Sequence, residues 1–254
     1  MPKAGRYHEG VPCWVELGAV NLGRARRFYG GLFDWEFVDL PGWTVATLRG
    51  AQVAGLIART ASPGALPGAA QSWTTYLAVA DAERTAEAVR EAGGRVLREP
   101  YEVPPEQGWA ALAADPAGAV FGLRQGLLWQ GAGLVDEPAA FSWSEQHSPA
   151  PDTARAFYRR VFGYEYGRGS DGATLFRVDG QPAGGIARHP EAGWSVHFGT
   201  ADTDLAVERV RELGGTVLAG PQPTPFGRRA VVRDDGGAEF TLVGLPSAER
   251  TLAA

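Results

Sequence analysis

Residues 13–29 (CWVELGAVNLGRARRFY) and residues 141–158 (FSWSEQHSPAPDTARAFY) decide the fold, because the second stretch repeats the first at one constant offset. The matched pairs are Trp14 and Trp143, Glu16 and Glu145, Phe28 and Phe157, and Tyr29 and Tyr158. The correspondence continues downstream, where WTTYLAVAD (73–81) returns as WSVHFGTAD (194–202) and Asp115 returns as Asp234. The chain is therefore a tandem duplication of a unit of about a hundred residues.

Composition limits the classes of function. With 254 residues, 44% of them hydrophobic, the chain can bury two cores of ordinary size, and the duplication predicts two domains. The net charge of −5 and the absence of a basic run exclude a nucleic-acid footprint. The single cysteine, Cys13, excludes a disulfide within the chain. No stretch has the length of a signal peptide core or a membrane span, so we expect a cytoplasmic protein without a membrane partner.

The pattern of apolar residues predicts one βαβββ module, followed by a second. In the first module a strand (12–19) and a helix (23–32) precede strands at 35–40, 43–48 and 53–58. In the second, a strand (74–79) and a helix (81–92) precede strands near 95–99, 109–114 and 119–124. The predicted divisions are an N-terminal arm (1–10), a first domain (11–125), a linker (126–138), a second domain (139–245) and a C-terminal tail (246–254).

Three short motifs carry a resemblance to a known superfamily. These are the Phe-Tyr pair closing the first helix, V-x-D at the start of the second helix and the D-P-x-G hairpin at 115–118. In these motifs the chain resembles the vicinal oxygen chelate superfamily of glyoxalase I, extradiol dioxygenases and bleomycin resistance proteins. The W-x-E-L strand and the tandem arrangement are similar to duplicated actinobacterial glyoxalase-like proteins, some of which accompany anthracycline tailoring. The resemblance implies an α+β fold in which each pair of modules forms an open, cup-shaped mixed sheet.

The resemblance also implies where metal ligands would lie. Carried over residue by residue, those positions are Trp14, Thr74 and Gly122 in the first domain, and Trp143, Ser195 and Thr241 in the second. None of these six is a customary ligand of a divalent cation. We therefore expect no metal and no other cofactor.

A displaced metal site in the second domain is the alternative. Glu145, His197 and Glu239 lie two residues from the family positions and have the residue types of a two-carboxylate, one-histidine site. If the first and last strands of the domain run parallel, as the resemblance implies, the two carboxylates are on the order of 13 Å apart. This separation argues against a shared ion.

Aromatic residues and lone acids dominate the predicted concave faces. Strand alternation places Trp14 with Glu16, and Trp143 with Glu145, on the inner face of each cup. The remaining candidate ligand-binding residues are Trp43, Trp73, Tyr76, Trp109, Trp194 and His197. Trp73 and Trp194 are expected at the cup rim, whereas Trp43 and Trp109 have no aromatic counterpart in the other copy.

Glu16 and Glu145 have two interpretations. As partly buried carboxylates they are candidate hydrogen-bond acceptors or general bases. Alternatively, they pair with arginines of neighbouring strands, such as Arg49 or Arg177, and only stabilise the sheet.

Two functional hypotheses follow. The first is metal-independent binding of an aromatic small molecule, such as an anthracycline-like polyketide, for sequestration, resistance or support of a tailoring enzyme. The second is a glyoxalase-like enzyme of lyase, isomerase or hydroxylase type that uses Glu16, Glu145 or the displaced metal site. A homo-oligomer is compatible with either hypothesis.

Overall fold

The computed structural model describes residues 7–58, 71–103, 107–127, 129–169 and 172–245. The first half of the chain contains β1 (Pro12–Ala19), α1 (Leu22–Phe33), β2 (Glu36–Leu40), β3 (Trp43–Leu48), β4 (Ala51–Ala58), β5 (Ser72–Ala78), α2 (Ala82–Glu91), β6 (Arg95–Glu102), β7 (Gly108–Ala114) and β8 (Val120–Gly126). The second half contains β9 (Phe141–Ser148), α3 (Pro151–Phe162), β10 (Glu165–Arg168), β11 (Thr174–Val178), β12 (Gln181–Arg188), β13 (Gly193–Thr200), α4 (Thr203–Glu212), β14 (Thr216–Thr224), β15 (Gly227–Arg233) and β16 (Glu239–Gly244).

Each half forms one mixed sheet of eight strands. The orders are β2-β3-β4-β1-β5-β8-β7-β6 and β10-β11-β12-β9-β13-β16-β15-β14. In both sheets the two modules meet at their first strands, which pair antiparallel, β1 with β5 and β9 with β13. The predicted α+β fold of two tandem domains, each built from two βαβββ modules, is confirmed.

One detail of the predicted topology is wrong. β9 is antiparallel to β13, and β13 is parallel to β16, so β9 and β16 run in opposite directions. The separation between Glu145 and Glu239 is therefore not a displacement along parallel strands. It arises from the intervening strand β13, which sets their backbones roughly 10 Å apart across the sheet.

The helices α1, α2 and α4 begin at side-chain caps. The carboxamide of Asn21 accepts from Arg24 N at 3.0 Å, and Asp81 and Asp202 cap α2 and α4 in the same way. These caps satisfy backbone N–H groups that the first helical turn leaves without partners. α3 has no side-chain cap and begins instead at Pro151, whose missing N–H removes one such group. No helix in the described part of the chain is long and apolar enough to cross a membrane.

The hydrophobic cores join the two halves of the chain. Phe28 and Phe33 of α1 belong to the same buried cluster as Phe198 and Phe240 of the second sheet, with the Phe33 and Phe198 ring centroids 5.2 Å apart. A second cluster places Phe157 and Tyr158 of α3 against Phe121 of β8 in the first sheet. Each of these two clusters therefore contains residues of both halves of the chain. The first helix of each domain packs against both sheets, because burying its apolar face against either sheet removes apolar surface from water.

The segments outside the sheets are only partly described. Residues 7–10 of the predicted arm are held by hydrogen bonds: the Gly10 N–H donates to Ala78 O at 2.7 Å, and the Tyr7 hydroxyl donates to Ala132 O at 2.9 Å. In the predicted linker, Val135 and Pro138 form bridges with β9 and β13. The tail at 246–254 and the rest of the arm lie outside the described residues.

Candidate functional site

Each sheet curves around a cavity on the face that points away from the shared core. We call the cavity of the first sheet cup 1 and that of the second sheet cup 2; their volumes are about 330 Å³ and about 320 Å³. Trp14, Glu16, Trp43 and Tyr76 line cup 1. Trp143, Glu145 and His197 line cup 2. Seven of the ten candidate ligand-binding residues therefore lie at a cavity, and their role in binding stays a prediction.

The two cups share a Trp-x-Glu arrangement beside a glycine. A methyl group built at Gly55 would lie 3.1 Å from Trp14 Nε1 and 3.2 Å from Glu16 Oε2. At Gly185 the corresponding distances are 3.4 Å to Trp143 Nε1 and 3.2 Å to Glu145 Oε1. Glycine on the neighbouring strand thus leaves room for an indole N–H and a carboxylate in the same corner of each cup.

In cup 1 the carboxylate is held by a phenol. Tyr76 donates a hydrogen bond to Glu16 Oε1 at 3.0 Å. Burial raises the pKa of Glu16, although this hydrogen bond and the charges of Arg124 and Arg98 oppose the shift. The Tyr76 ring lies over Gly122, where a Cβ would approach its carbons to 2.0 Å. The missing side chain at Gly122 is therefore what admits the ring.

Cup 1 also contains a residue from the linker. The Trp129 ring lies edge-on to Trp14 with centroids 4.4 Å apart, and Trp43 lies 6.1 Å away. The Arg124 guanidinium carbon lies 4.3 Å from the centroid of the Trp129 ring, which is a cation–π contact. Neither Trp129 nor Arg124 is among the residues predicted from the sequence.

In cup 2 the carboxylate of Glu145 lies beside a histidine and an arginine. Glu145 Oε2 is 3.1 Å from His147 Nε2 and 3.6 Å from Arg229 Nη2. Burial alone would raise the pKa of Glu145, but the hydrogen bond with His147 and the surrounding positive charges lower it to about 2. Burial and the Arg229 charge lower the pKa of His197 to about 3, against the opposing effect of Glu145. His197 is thus a neutral imidazole at pH 7.

Cup 2 combines apolar walls with polar atoms that have no partner. Leu175, Val243 and Phe226 contribute apolar surface to the cavity. His197 Nε2 and Thr241 Oγ1 are buried, and neither has a hydrogen-bond partner among the described residues. Arg229 Nε is also buried without a hydrogen-bond partner in the described structure. Because buried polar atoms of folded proteins are nearly always paired, these three atoms are candidate contacts for a ligand. Thr241 lies on the same face of β16 as Val243, which lines the cavity.

Three of the candidate ligand-binding residues lie elsewhere. Trp73 is 7% exposed, and its Nε1–H donates to the Tyr29 hydroxyl at 2.9 Å within the shared core. Trp194 makes the equivalent bond to Tyr158 at 3.0 Å. Their placement at the cup rim is wrong, since each points to the helix side of its sheet. Trp109 is also outside the cup, on the opposite face of β7 from Ala110, which lines cup 1.

The proposed arginine partners of the two glutamates are also wrong. Arg49 pairs with Glu137, and Arg177 donates to the Gly180 carbonyl at 3.0 Å. The arginine beside Glu145 is Arg229 of β15.

Comparison with known proteins identifies the family. The model of the glyoxalase/bleomycin resistance protein/dioxygenase superfamily matches residues 14–123, and that of a glyoxalase-like domain matches residues 146–243. The protein named "Putative glyoxylase CFP32" of Mycobacterium tuberculosis is 34% identical, covering 96% of this chain and 98% of that protein. The chain belongs to the glyoxalase/bleomycin resistance protein/dioxygenase superfamily.

Two further proteins are similar to this chain. Anthracycline biosynthesis protein DauV of Streptomyces sp. (strain C5) is 33% identical, covering 96% of both chains. The Mn(II)-bound glyoxalase from Novosphingobium aromaticivorans has the same fold, with a TM-score of 0.66 at 17% identity, covering 93% of this chain and 83% of that one.

The strand register corrects the assignment of the superfamily's metal positions. Trp14 lies opposite Tyr76 on the neighbouring strand, and Tyr76 lies opposite Gly122 on the next. Tyr76, and not Thr74, is therefore in line with the other two across the sheet. In cup 2, His197 and not Ser195 lies level with Trp143 and Thr241. Antiparallel strands begin at opposite ends of the sheet. Residues at the same distance from the starts of two such strands are therefore not opposite each other.

A divalent metal does not fit these residues. The residues in line across the sheet at His197 supply one imidazole, one indole and one hydroxyl. Glu239 instead forms an ion pair with Arg233 at 3.4 Å. Within the described ranges, no group of three or more His, Cys, Asp or Glu side chains is arranged to hold a metal ion. The Glu145, His197 and Glu239 triad of the sequence analysis is therefore not assembled.

Proposed function

We propose that this superfamily member binds a flat, neutral aromatic molecule in cup 2 without a metal. The observation that supports the proposal is a set of buried, unpaired polar atoms: His197 Nε2 and Arg229 Nε belong to residues that line the cavity, and Thr241 Oγ1 lies on the same face of β16 as Val243, which also lines it. A neutral imidazole nitrogen and a hydroxyl can each accept from or donate to a ligand, whereas the guanidinium only donates. A phenol next to a ring carbonyl would satisfy all three.

The relatives favour a polyketide as the natural ligand. DauV and DnrV are named anthracycline biosynthesis proteins, and anthracyclines are fused aromatic systems that carry phenols beside quinone carbonyls. In this proposal the chain holds an anthracycline-like intermediate in the cytoplasm and has an accessory role, such as sequestering the intermediate or presenting it to a tailoring enzyme. The Trp143 indole at the cavity supplies a surface on which such rings stack.

Calorimetric titration with 1,8-dihydroxyanthraquinone tests the proposal. We expect binding that is unchanged by EDTA. We also expect it to weaken about three- to tenfold in Thr241→Val, because one neutral hydrogen bond is lost. Anthraquinone without hydroxyls should bind wild type and variant equally weakly. The matched control is Thr47→Val, which removes a buried hydroxyl from the first sheet and should leave binding unchanged.

Two results would overturn the proposal. Loss of binding after EDTA treatment would mean that a metal takes part. Equal affinity of wild type and Thr241→Val for the dihydroxy probe would mean that cup 2 is not its site.

An alternative is a metal-free proton-transfer enzyme. The raised pKa of Glu16 is the property that favours it, since a general base works best when its pKa approaches the working pH. Glu145, with its pKa lowered to about 2, is a much weaker base. Chromatographic detection of a product that wild type forms from an aromatic substrate bound in cup 1, and that Glu16→Gln does not form, would replace binding by catalysis as the function.

A further inference from the structure

Arg124 in cup 1 is a buried cation without a carboxylate partner. Arg124 is 4% exposed, and no ion pair joins its guanidinium to a described acidic residue. The guanidinium nitrogen Nη2 donates to Gln107 O at 3.1 Å, and Nε has no hydrogen-bond partner in the described structure. A buried guanidinium in this state is unfavourable for the fold, because charge is removed from water without full replacement of its hydrogen bonds.

The carboxylate of Glu16 does not fill this role. It lines the same cavity, but its Oε1 accepts from Tyr76 and neither oxygen lies within ion-pair distance of a guanidinium. Glu102 lines the cavity at its exposed mouth, and Arg98 adds a second guanidinium, 3.2 Å from the Tyr101 ring centroid. The buried end of the cup therefore has positive charge available to a ligand.

The unpaired polar atoms of cup 1 are donors. Besides Arg124 Nε, the Trp43 indole N–H is buried without a partner in the described structure. Both atoms call for an acceptor, in contrast to cup 2, where His197 Nε2 and Thr241 Oγ1 accept as well as donate. The walls around them include Trp14 and Trp129, which suit a flat ring.

Each cup has one arginine at this ladder pair, but on a different strand. Arg124 pairs across the ladder with Ala110 in the first sheet. At the equivalent places of the second sheet, Val243 pairs with Arg229. The arginine is therefore on β8 in cup 1 and on β15 in cup 2, and of the two only Arg229 has a carboxylate, Glu145, at 3.6 Å.

We propose that cup 1 is a second ligand site, which binds a flat aromatic carboxylate through Arg124 and the Trp43 indole N–H, with its ring among Trp14, Trp43 and Trp129. A carboxylate is the group that matches a guanidinium best, since it accepts charge-assisted hydrogen bonds in the plane of the donor. The site differs from cup 2 in ligand charge, so the two cups take different molecules.

Calorimetry with 2-naphthoate and its neutral isostere 2-naphthamide tests this site. We expect the naphthoate to bind wild type at least tenfold more tightly than the amide. Arg124→Gln should weaken naphthoate binding tenfold or more, because a charge-assisted hydrogen bond is lost, and should leave amide binding unchanged. Arg124→Lys should recover part of the affinity, since the charge remains. Arg177→Gln, on the surface of the second domain, is the control and should bind as wild type.

A second variant keeps the test independent of the folding of the Arg124 variants. Glu16→Gln removes the negative charge that faces the ligand, so it should tighten naphthoate binding several-fold and leave naphthamide binding unchanged. Saturating cup 2 with 1,8-dihydroxyanthraquinone should not displace the naphthoate, which separates this proposal from the one for cup 2. Equal binding of acid and amide, or unchanged naphthoate binding in Arg124→Gln, would overturn the assignment.

Discussion

The hydroxyl of Tyr29, at the end of the first Phe-Tyr pair, donates a hydrogen bond of 2.8 Å to Asp234 in the last hairpin of the other domain. The duplicated counterpart joins Tyr158 to Asp115 at 3.3 Å. The other oxygen of each aspartate accepts from backbone N–H groups of its own hairpin. The motif residues that carried the superfamily resemblance therefore connect the two domains and lie away from the cups.

We predict that Tyr29→Phe lowers the free energy of unfolding by about 1–3 kcal/mol, because the change leaves buried polar groups without partners. The Trp73 N–H loses its acceptor, and Asp234 loses one donor. Urea denaturation followed by circular dichroism measures the change. Tyr166→Phe is the control, since that hydroxyl is only partly buried and donates to the Arg155 carbonyl within one domain. Equal stability of wild type and Tyr29→Phe would contradict the role of this contact in joining the domains.

The shared cores predict a single unfolding transition. Because α1 and α3 each pack against both sheets, neither domain keeps its core when the other unfolds. Tryptophan fluorescence and far-ultraviolet circular dichroism should therefore give coincident urea curves for the whole chain. Two separated transitions would show that the halves are stable independently.

His197 predicts a loss of stability in mild acid. Its pKa is about 3 in the folded protein and about 6.5 when unfolded, so between these values only the unfolded state takes up the proton. The stability contribution is present above pH 6.5 and falls as pH decreases toward 3. From pH 7 to pH 5 the free energy of unfolding should decrease by about 2 kcal/mol from this group alone.

The difference between wild type and His197→Gln isolates that contribution. Glu145, with a pKa lowered to about 2, loses its contribution only below its unfolded pKa, near 4.5. Glu16, with a raised pKa, acts with the opposite sign, but it is present in both proteins. We expect the wild type to lose more stability than His197→Gln from pH 7 to pH 5, and exposed His8→Gln to behave as wild type. Parallel loss in all three proteins would contradict a buried neutral imidazole.

Gly122 predicts a steric effect on cup 1. In Gly122→Ala the new methyl group would overlap the Tyr76 ring, which must move away from Glu16. We expect a loss of about 1–3 kcal/mol in the free energy of unfolding, as for other overpacked sites. Gly220→Ala is the matched control, because no atom lies within 4 Å of its added Cβ and its φ angle is not positive. Urea denaturation of both variants measures the difference, and equal stability would mean that the ring moves without strain.

Strand alternation explains why part of each cup could be predicted from the sequence. Trp14 and Glu16 are two residues apart, as are Trp143 and Glu145, so one inward residue places the other. The same rule would have corrected the rim assignment: Trp73 and Tyr76 are three residues apart and cannot both face the cavity in a regular strand. Trp194 and His197 are also three residues apart, so their side chains likewise point to opposite faces of the sheet.

Other features had a weaker signal or none. Arg124 could have been found by comparing the copies, since its counterpart is Val243 and the two flank matched leucines. Trp129 lies in an irregular linker, where no periodicity states which way a side chain points. The joined cores were equally inaccessible, because an apolar helix face does not specify which of two apolar sheets it covers.

The position of Trp129 leads to a last prediction, about access to cup 1. Its ring contacts Trp14 and lies over the Arg124 guanidinium, so Trp129→Ala removes one wall of the cavity and a cation–π contact worth about 0.5–2 kcal/mol. We expect stability to fall by a similar amount, and acrylamide to quench the fluorescence of Trp14 and Trp43 more strongly than in wild type, once the quenching of Trp129 itself is subtracted. Trp109→Ala is the control, because that indole is 37% exposed and lies outside the cup. If Trp129→Ala leaves the remaining indoles as protected as before, the linker does not close the cavity in solution.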